Sequence, residues 1–171
     1  MSDEQRNVDL ALAKADQLSK EERFEEAIDV CGDVIAQDDD CYAAYSERSC
    51  NLYALGRFEE ALRDLEKLIE LRPSSPTAYF RRARWQIKRG EYEFALKDLY
   101  QVTDFQVEYF NESAYFHLVV ALLNTNRIAD ALQACDKLSP SFKEFISTPL
   151  TPGKALSRDE LKLLVQQGKR I

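Results

Sequence analysis

The sequence predicts an all-α fold, a solenoid of four helix pairs closed by a C-terminal capping helix. Three observations predict it. Phe24-Glu25-Glu26-Ala27-Ile28 recurs as Phe58-Glu59-Glu60-Ala61-Leu62, as Tyr92-Glu93-Phe94-Ala95-Leu96 and as Ile128-Ala129-Asp130-Ala131-Leu132. The alanines of the first three copies lie 34 residues apart and the fourth follows 36 later, a period that belongs to stacked helix–turn–helix units. Apolar residues fall at helical spacing within each unit, and the whole chain of 171 residues holds only five Gly and five Pro.

Each element follows from its residues. In the second unit Tyr45, Ser49 and Leu52 share one face of a first helix, while Phe58, Ala61, Leu65, Leu68 and Ile69 share one face of a second. The recurring alanine marks the closest approach of two helix axes, where a bulkier residue would overpack by about 1–3 kcal/mol. Cys31 and Cys135 fill the slot held by Leu65 and Leu99 in the other units, so they read as small core residues rather than reactive thiols. Ser139-Pro140 stops the eighth helix, because the residue before a proline avoids helical geometry. One more short turn is expected over 141–146, then a loop over 147–156 holding Pro149, Pro152 and Gly153. Ser157-Arg158-Asp159-Glu160 reads as a capping box that opens a last helix over 157–171, with Leu161, Leu164 and Val165 on one side. Its expected role is a lid over the fourth unit; the alternative is a helix that occupies the binding groove or binds a partner itself.

Composition narrows the function. Apolar residues make up 45% and charged residues 31% of the chain, as in a folded helical protein. The net charge of −7 disfavours nucleic acid as a partner. It is unevenly spread: residues 1–75 carry −10 and residues 76–171 carry +3, which points an acidic partner segment towards the second half. The longest apolar run, residues 118–123, is far below the ~18 needed for a membrane span. Residues 1–6 are polar and lack the plan of a signal peptide, so a cytoplasmic location is expected. Four cysteines without a C-x-x-C pair and a single histidine, His117, give no metal site, and no cofactor is expected. Phosphate loops and the motifs of hydrolases are absent, so a non-enzymatic role is expected.

With repeats at 8–41, 42–75, 76–109 and 112–145, the chain resembles the tetratricopeptide-repeat family. The family's aromatic fourth residue is met by Tyr45, Tyr79 and Tyr115, its small eighth residue by Ala15, Ser49 and Ala83, and its turn glycine by Gly56 and Gly90. Val119, and Glu22 and Asn126 at the turns, depart from it, and the closing proline survives only as Pro73. The resemblance implies a right-handed solenoid over 1–146 whose concave groove, lined by the first helix of each repeat, binds protein.

Carried over position by position, it places Glu47, Cys50, Tyr53, Phe80, Arg81, Arg84, Lys88, Phe116, His117 and Val120 in that groove. Phe80 and Phe116 occupy equivalent slots, and the groove is expected to run from an acidic end to a basic middle and an apolar end. Arg82 and Arg89 belong to the same basic run but are expected to point elsewhere. The partner implied is a protein or peptide with acidic and apolar residues, engaged by an adaptor or scaffold; the alternative is a dedicated chaperone or toxin-immunity protein with one cognate partner. The family's clamp for chaperone carboxylate tails is poorly matched. Its positions hold Leu12, Asp16, Glu47, Thr77 and Arg81 in one frame and Ser46, Cys50, Arg81, Ser113 and His117 in the other.

Overall fold

A computed structural model describes residues 3–148 and 151–169. The helices follow the repeat: α1 (Asp3–Lys20) and α2 (Phe24–Gln37), α3 (Tyr42–Ala54) and α4 (Phe58–Leu71), α5 (Pro76–Lys88) and α6 (Tyr92–Asp104), α7 (Glu108–Asn124) and α8 (Ile128–Asp136). A hairpin of β1 (Lys143–Thr148) and β2 (Thr151–Ser157) precedes α9 (Arg158–Gln166).

The pairs are made by one turn used four times. Glu22, Gly56, Gly90 and Asn126 all adopt left-handed φ of 60–77°. The next amide then returns to a carbonyl five residues back: Arg23 to Leu18, Arg57 to Leu52, Glu91 to Gln86 and Arg127 to Leu122, at 2.8–2.9 Å. This arrangement satisfies carbonyls that the ending helix would leave unpaired. Glycine is at ease in that geometry, whereas Glu22 adopts it against its Cβ.

The chain divides into two compact units, Met1–Ala78 and Tyr79–Ile171, the division falling within α5. In the first unit α2 packs against α1 and α3, and α3 against α4. Ala27 and Ala61 are fully buried there, as the close approach of helices requires. In the second unit one core joins Ala83, Ala95, Leu99, Val119, Ala131 and Cys135 to Leu161 and Val165 of α9. The terminal helix thus packs as a lid on the fourth pair, opened by the capping box. Ser157 Oγ accepts from the Glu160 amide and the Glu160 carboxylate accepts from the Ser157 amide at 3.0 Å.

Burial raises the thiol pKa of Cys31 to about 12 and of Cys135 to about 11, which keeps both protonated as core residues. Within each central pair a bidentate ion pair is enclosed. Arg48 grips Asp64 at 2.7 and 2.9 Å, and 34 residues on Arg82 grips Asp98 at 2.7 Å through both nitrogens. A buried carboxylate requires such a fork.

Residues 141–157 differ from expectation. The turn expected over 141–146 and the loop over 147–156 are replaced by an antiparallel hairpin running from Lys143↔Ser157 through Phe145↔Ala155 to Thr148↔Thr151, with an irregular step between Ile146 and Thr148. Pro149 lies outside the described residues. Three features favour strand here: Pro140 blocks helix, Ile146, Thr148 and Thr151 are β-branched, and an edge strand accommodates Pro152, which has no amide to give a ladder. The fold is the expected array of helix pairs with a terminal helix, with one short hairpin ahead of that helix.

Candidate binding site

In the first unit, the groove positions of α3 are tied into the packing of the helices. Glu47 Oε1 lies 2.7 Å from Ser19 Oγ and 3.2 Å from Asn51 Nδ2, joining α1 to α3. Asn51 is buried, and its Oδ1 lies 2.8 Å from the same hydroxyl. Tyr53 sets its ring edge-on against Phe58 at 5.2 Å, whereas Cys50 is exposed.

In the second unit α5 and α7 lie side by side and carry a continuous row of rings. Tyr109 meets Phe110 at 5.1 Å, Phe110 meets Phe80 at 5.4 Å, and Phe80 meets His117 at 5.3 Å. His117 meets Phe116 at 5.3 Å, and Phe116 stacks on Phe142 at 5.8 Å. Phe80 and Phe116 do not form the exposed pair that equivalent slots suggest. His117 stands between them, Phe116 is 7% exposed beneath Phe142, and Val120 is 8% exposed. Both are floor rather than contact surface, Phe116 being covered by Phe142 just ahead of the hairpin. Tyr109, 85% exposed, is the ring the row offers most openly to solvent.

The basic residues of α5 divide between two sides. Arg82 turns inward to Asp98, and Arg89 pairs with Glu91 at 2.7 Å. Arg84 lies on the ring side, its guanidinium 5.8 Å from the centroid of Phe80, a cation over an aromatic face. Arg84 and Lys88 are exposed, and Arg81 is partly buried.

His117 adds no charge to this face at neutral pH. Desolvation, with Arg84 nearby, lowers its pKa to about 4 although the Ser113 carbonyl pulls the other way. That carbonyl, 2.7 Å from Nδ1, can only accept, so Nδ1 carries the proton and Nε2 holds a lone pair. The site is a strip of rings edged by arginine, with one neutral imidazole acceptor inside it.

Tyr109 and Phe110 lie ahead of the repeat expected to begin at residue 112, because α7 begins at Glu108. An unbroken helical pattern of Phe110, Ala114 and His117, at steps of four and three, was the available signal.

The tetratricopeptide repeat family profile matches residues 47–106, spanning α3 to α6. Solved structures extend the likeness over most of the chain. MamA (residues 41 to the end) from Desulfovibrio magneticus RS-1 superposes with a TM-score of 0.70 at 20% identity, covering 80% of this chain and 75% of that one. Residues 47–106 therefore match the tetratricopeptide-repeat family, and beyond them the likeness is one of fold. YrrB, described as a tetratricopeptide-repeat protein with an unusual peptide-binding site, gives 0.65 at 15% identity, over 80% of this chain and 73% of its own. The Yersinia enterocolitica type III secretion chaperone SycD, solved with a peptide of the translocator YopD, gives 0.65 at 15% identity, over 70% of this chain and 95% of its own. No curated protein sequence matches. The chain shares its fold of helix pairs with these three, and none of their ligands follows from that likeness. Among the described residues no helix is long and apolar enough to cross a membrane.

Proposed function

We propose that this tetratricopeptide-repeat protein is a non-enzymatic interaction module that binds a protein segment on the α5–α7 face. The observation that carries the reading is the aromatic row from Tyr109 to His117 with Arg84 seated over Phe80. Rings offer large contact area at low entropic cost, and an adjacent guanidinium selects acids. The fitting ligand is a segment with carboxylates flanking one or two large apolar residues. Arg81, Arg84 and Lys88 receive the acids, and Phe80, Phe110 and Tyr109 receive the apolar anchors. His117 Nε2 can accept one N–H from the segment. Glu47, Cys50 and Tyr53 of the first unit extend the reading as secondary contacts, and a cytoplasmic adaptor role is the setting it fits.

The second reading is a dedicated chaperone for one cognate partner, which the likeness to SycD with its bound YopD peptide favours. Selection from a random peptide library on the immobilised chain tests the proposal. Enrichment of peptides combining acids with Trp, Phe or Leu is expected. Enrichment of basic peptides, or equal enrichment on a Phe80→Ala, Arg84→Ala variant, would refute it. A single long native segment that outcompetes every library peptide would favour the dedicated chaperone.

A further inference from the structure

We propose that a cationic cleft on the first unit, between α2, α3 and α4, is a second binding site that takes an acidic segment of a partner protein. The cleft encloses about 420 Å³, within the range of ligand pockets. Its floor is apolar, from Ile28, Leu52 and the ring of Tyr45, and four cations line it in a half of the chain that is otherwise strongly acidic.

The donors are partly engaged and partly left over. Arg57 turns all three nitrogens towards carboxylates, Nε and Nη2 to Glu60 and Nη1 to Glu25. Arg48 spends Nε and Nη2 on Asp64, which leaves the Nη1 hydrogens unused among the described residues, at a side chain 25% exposed. Arg63 is exposed and, among the described residues, enters no ion pair, although its charge is felt by the Glu60 carboxylate. Lys67 has one partner at the rim, Asp40 at 3.3 Å, and keeps its other hydrogens. The guanidinium of Arg48 and the ammonium of Lys67 lie 5.4 and 6.0 Å from the centre of the Tyr45 ring.

The fold supplies its own control. Seventy residues further on, the same three-helix notch recurs between α6, α7 and α8, with Tyr115, Leu122 and Lys137 in the places of Tyr45, Leu52 and Lys67. There Arg48 is replaced by Leu118, Arg63 by Gln133 and Asp64 by Ala134, and the notch shrinks to about 180 Å³. Helix packing therefore does not require the cations. In the third repeat the counterpart of Arg63 is Lys97, which is drawn over the ring of Phe94 at 5.8 Å. Among the described residues Arg63 has no such ring contact.

The lining also selects among anions. Glu60 and Asp64 lie in the cleft beside the cations. A compact anion such as phosphate sets most of its oxygens as acceptors against both carboxylates, which is unfavourable. A peptide brings carboxylates for Arg63, Arg48 Nη1 and Lys67, and backbone N–H groups for the carboxylate oxygens.

Nitrogen-15 chemical-shift mapping of the full chain with a capped octaglutamate peptide tests the site, with octaglutamine and inorganic phosphate as comparison probes. Shifts clustered at Tyr45, Arg48, Arg63 and Lys67 are expected, with none from octaglutamine. Arg63→Glu should weaken binding by about tenfold at an unchanged melting temperature. Lys137→Glu, in the equivalent notch, should leave it unaltered. The proposal is overturned if the cleft resonances do not move, if the two variants lose affinity equally, or if phosphate alone moves those resonances and displaces the peptide. Shifts confined to α5 and α7 would leave the α5–α7 reading standing and remove this one.

Discussion

At positions 18, 52 and 122 the repeat places a buried leucine, and at 86 it places a glutamine that is 8% exposed. Gln86 Oε1 is buried with no hydrogen-bond partner among the described residues. A buried acceptor left unpaired costs about 1–3 kcal/mol, whereas leucine at this position loses no partner. Gln86→Leu is therefore expected to stabilise the chain by about 1 kcal/mol in urea denaturation. A loss of stability would show that the amide is satisfied. His117 gives a second residue-scale expectation. Its folded pKa, about 4, lies below the ordinary value of 6.5. Above 6.5 both states are neutral and the residue contributes nothing to pH dependence. Between 6.5 and 4 the unfolded chain binds a proton that the folded chain refuses, so stability falls as pH falls. At about pH 5 this amounts to about 2 kcal/mol relative to neutral pH, and His117→Phe should flatten that part of the profile. Identical profiles for the two proteins would place the imidazole in water.

At the scale of elements, the helices were legible because the 34-residue period fixes their number, their turns and their inward alanines. Even the departures at Glu22 and Asn126 kept the left-handed turn geometry that Gly56 and Gly90 adopt. The hairpin was not legible: Pro149, Pro152 and Gly153 read as loop punctuation, and the pairing of Lys143 with Ser157 is a contact between segments rather than a local preference. The candidate site was half legible. Phe80, Arg84 and His117 follow from repeat positions. The burial of Phe116 depends on Phe142, which lies outside the helical pattern. The C-terminal helix carries a prediction of its own, since Leu161 and Val165 are fully buried in the second unit's core. Deleting residues 157–171 should cost about 3–6 kcal/mol, from two side chains at about 1.5–3 each. Ser157→Ala alone should cost about 1 kcal/mol through the lost cap. An unchanged melting temperature for the deletion would show that α9 is not a lid.

At the scale of the whole molecule, charge and shape are distributed differently. Residues 1–75 hold −10 and residues 76–171 hold +3, yet cations gather in both halves, on α5 and in the cleft of α4. On the α5–α7 face the arginines stand beside rings, so acids and apolar anchors can be read together; in the α4 cleft they stand beside carboxylates, so charge pattern is read instead. The binding reading of the chain turns on the first of these. It is tested most directly by titration calorimetry of the strongest library-selected peptide against three proteins: the natural chain, Arg81→Ala with Arg84→Ala, and a control with Lys97→Ala and Arg127→Ala on α6 and the turn before α8. The α5 double variant is expected to bind at least about tenfold more weakly, a loss of about 1.4 kcal/mol, with its melting temperature nearly unchanged and the control unaffected. Equal affinity of the two double variants would contradict binding on the α5–α7 face.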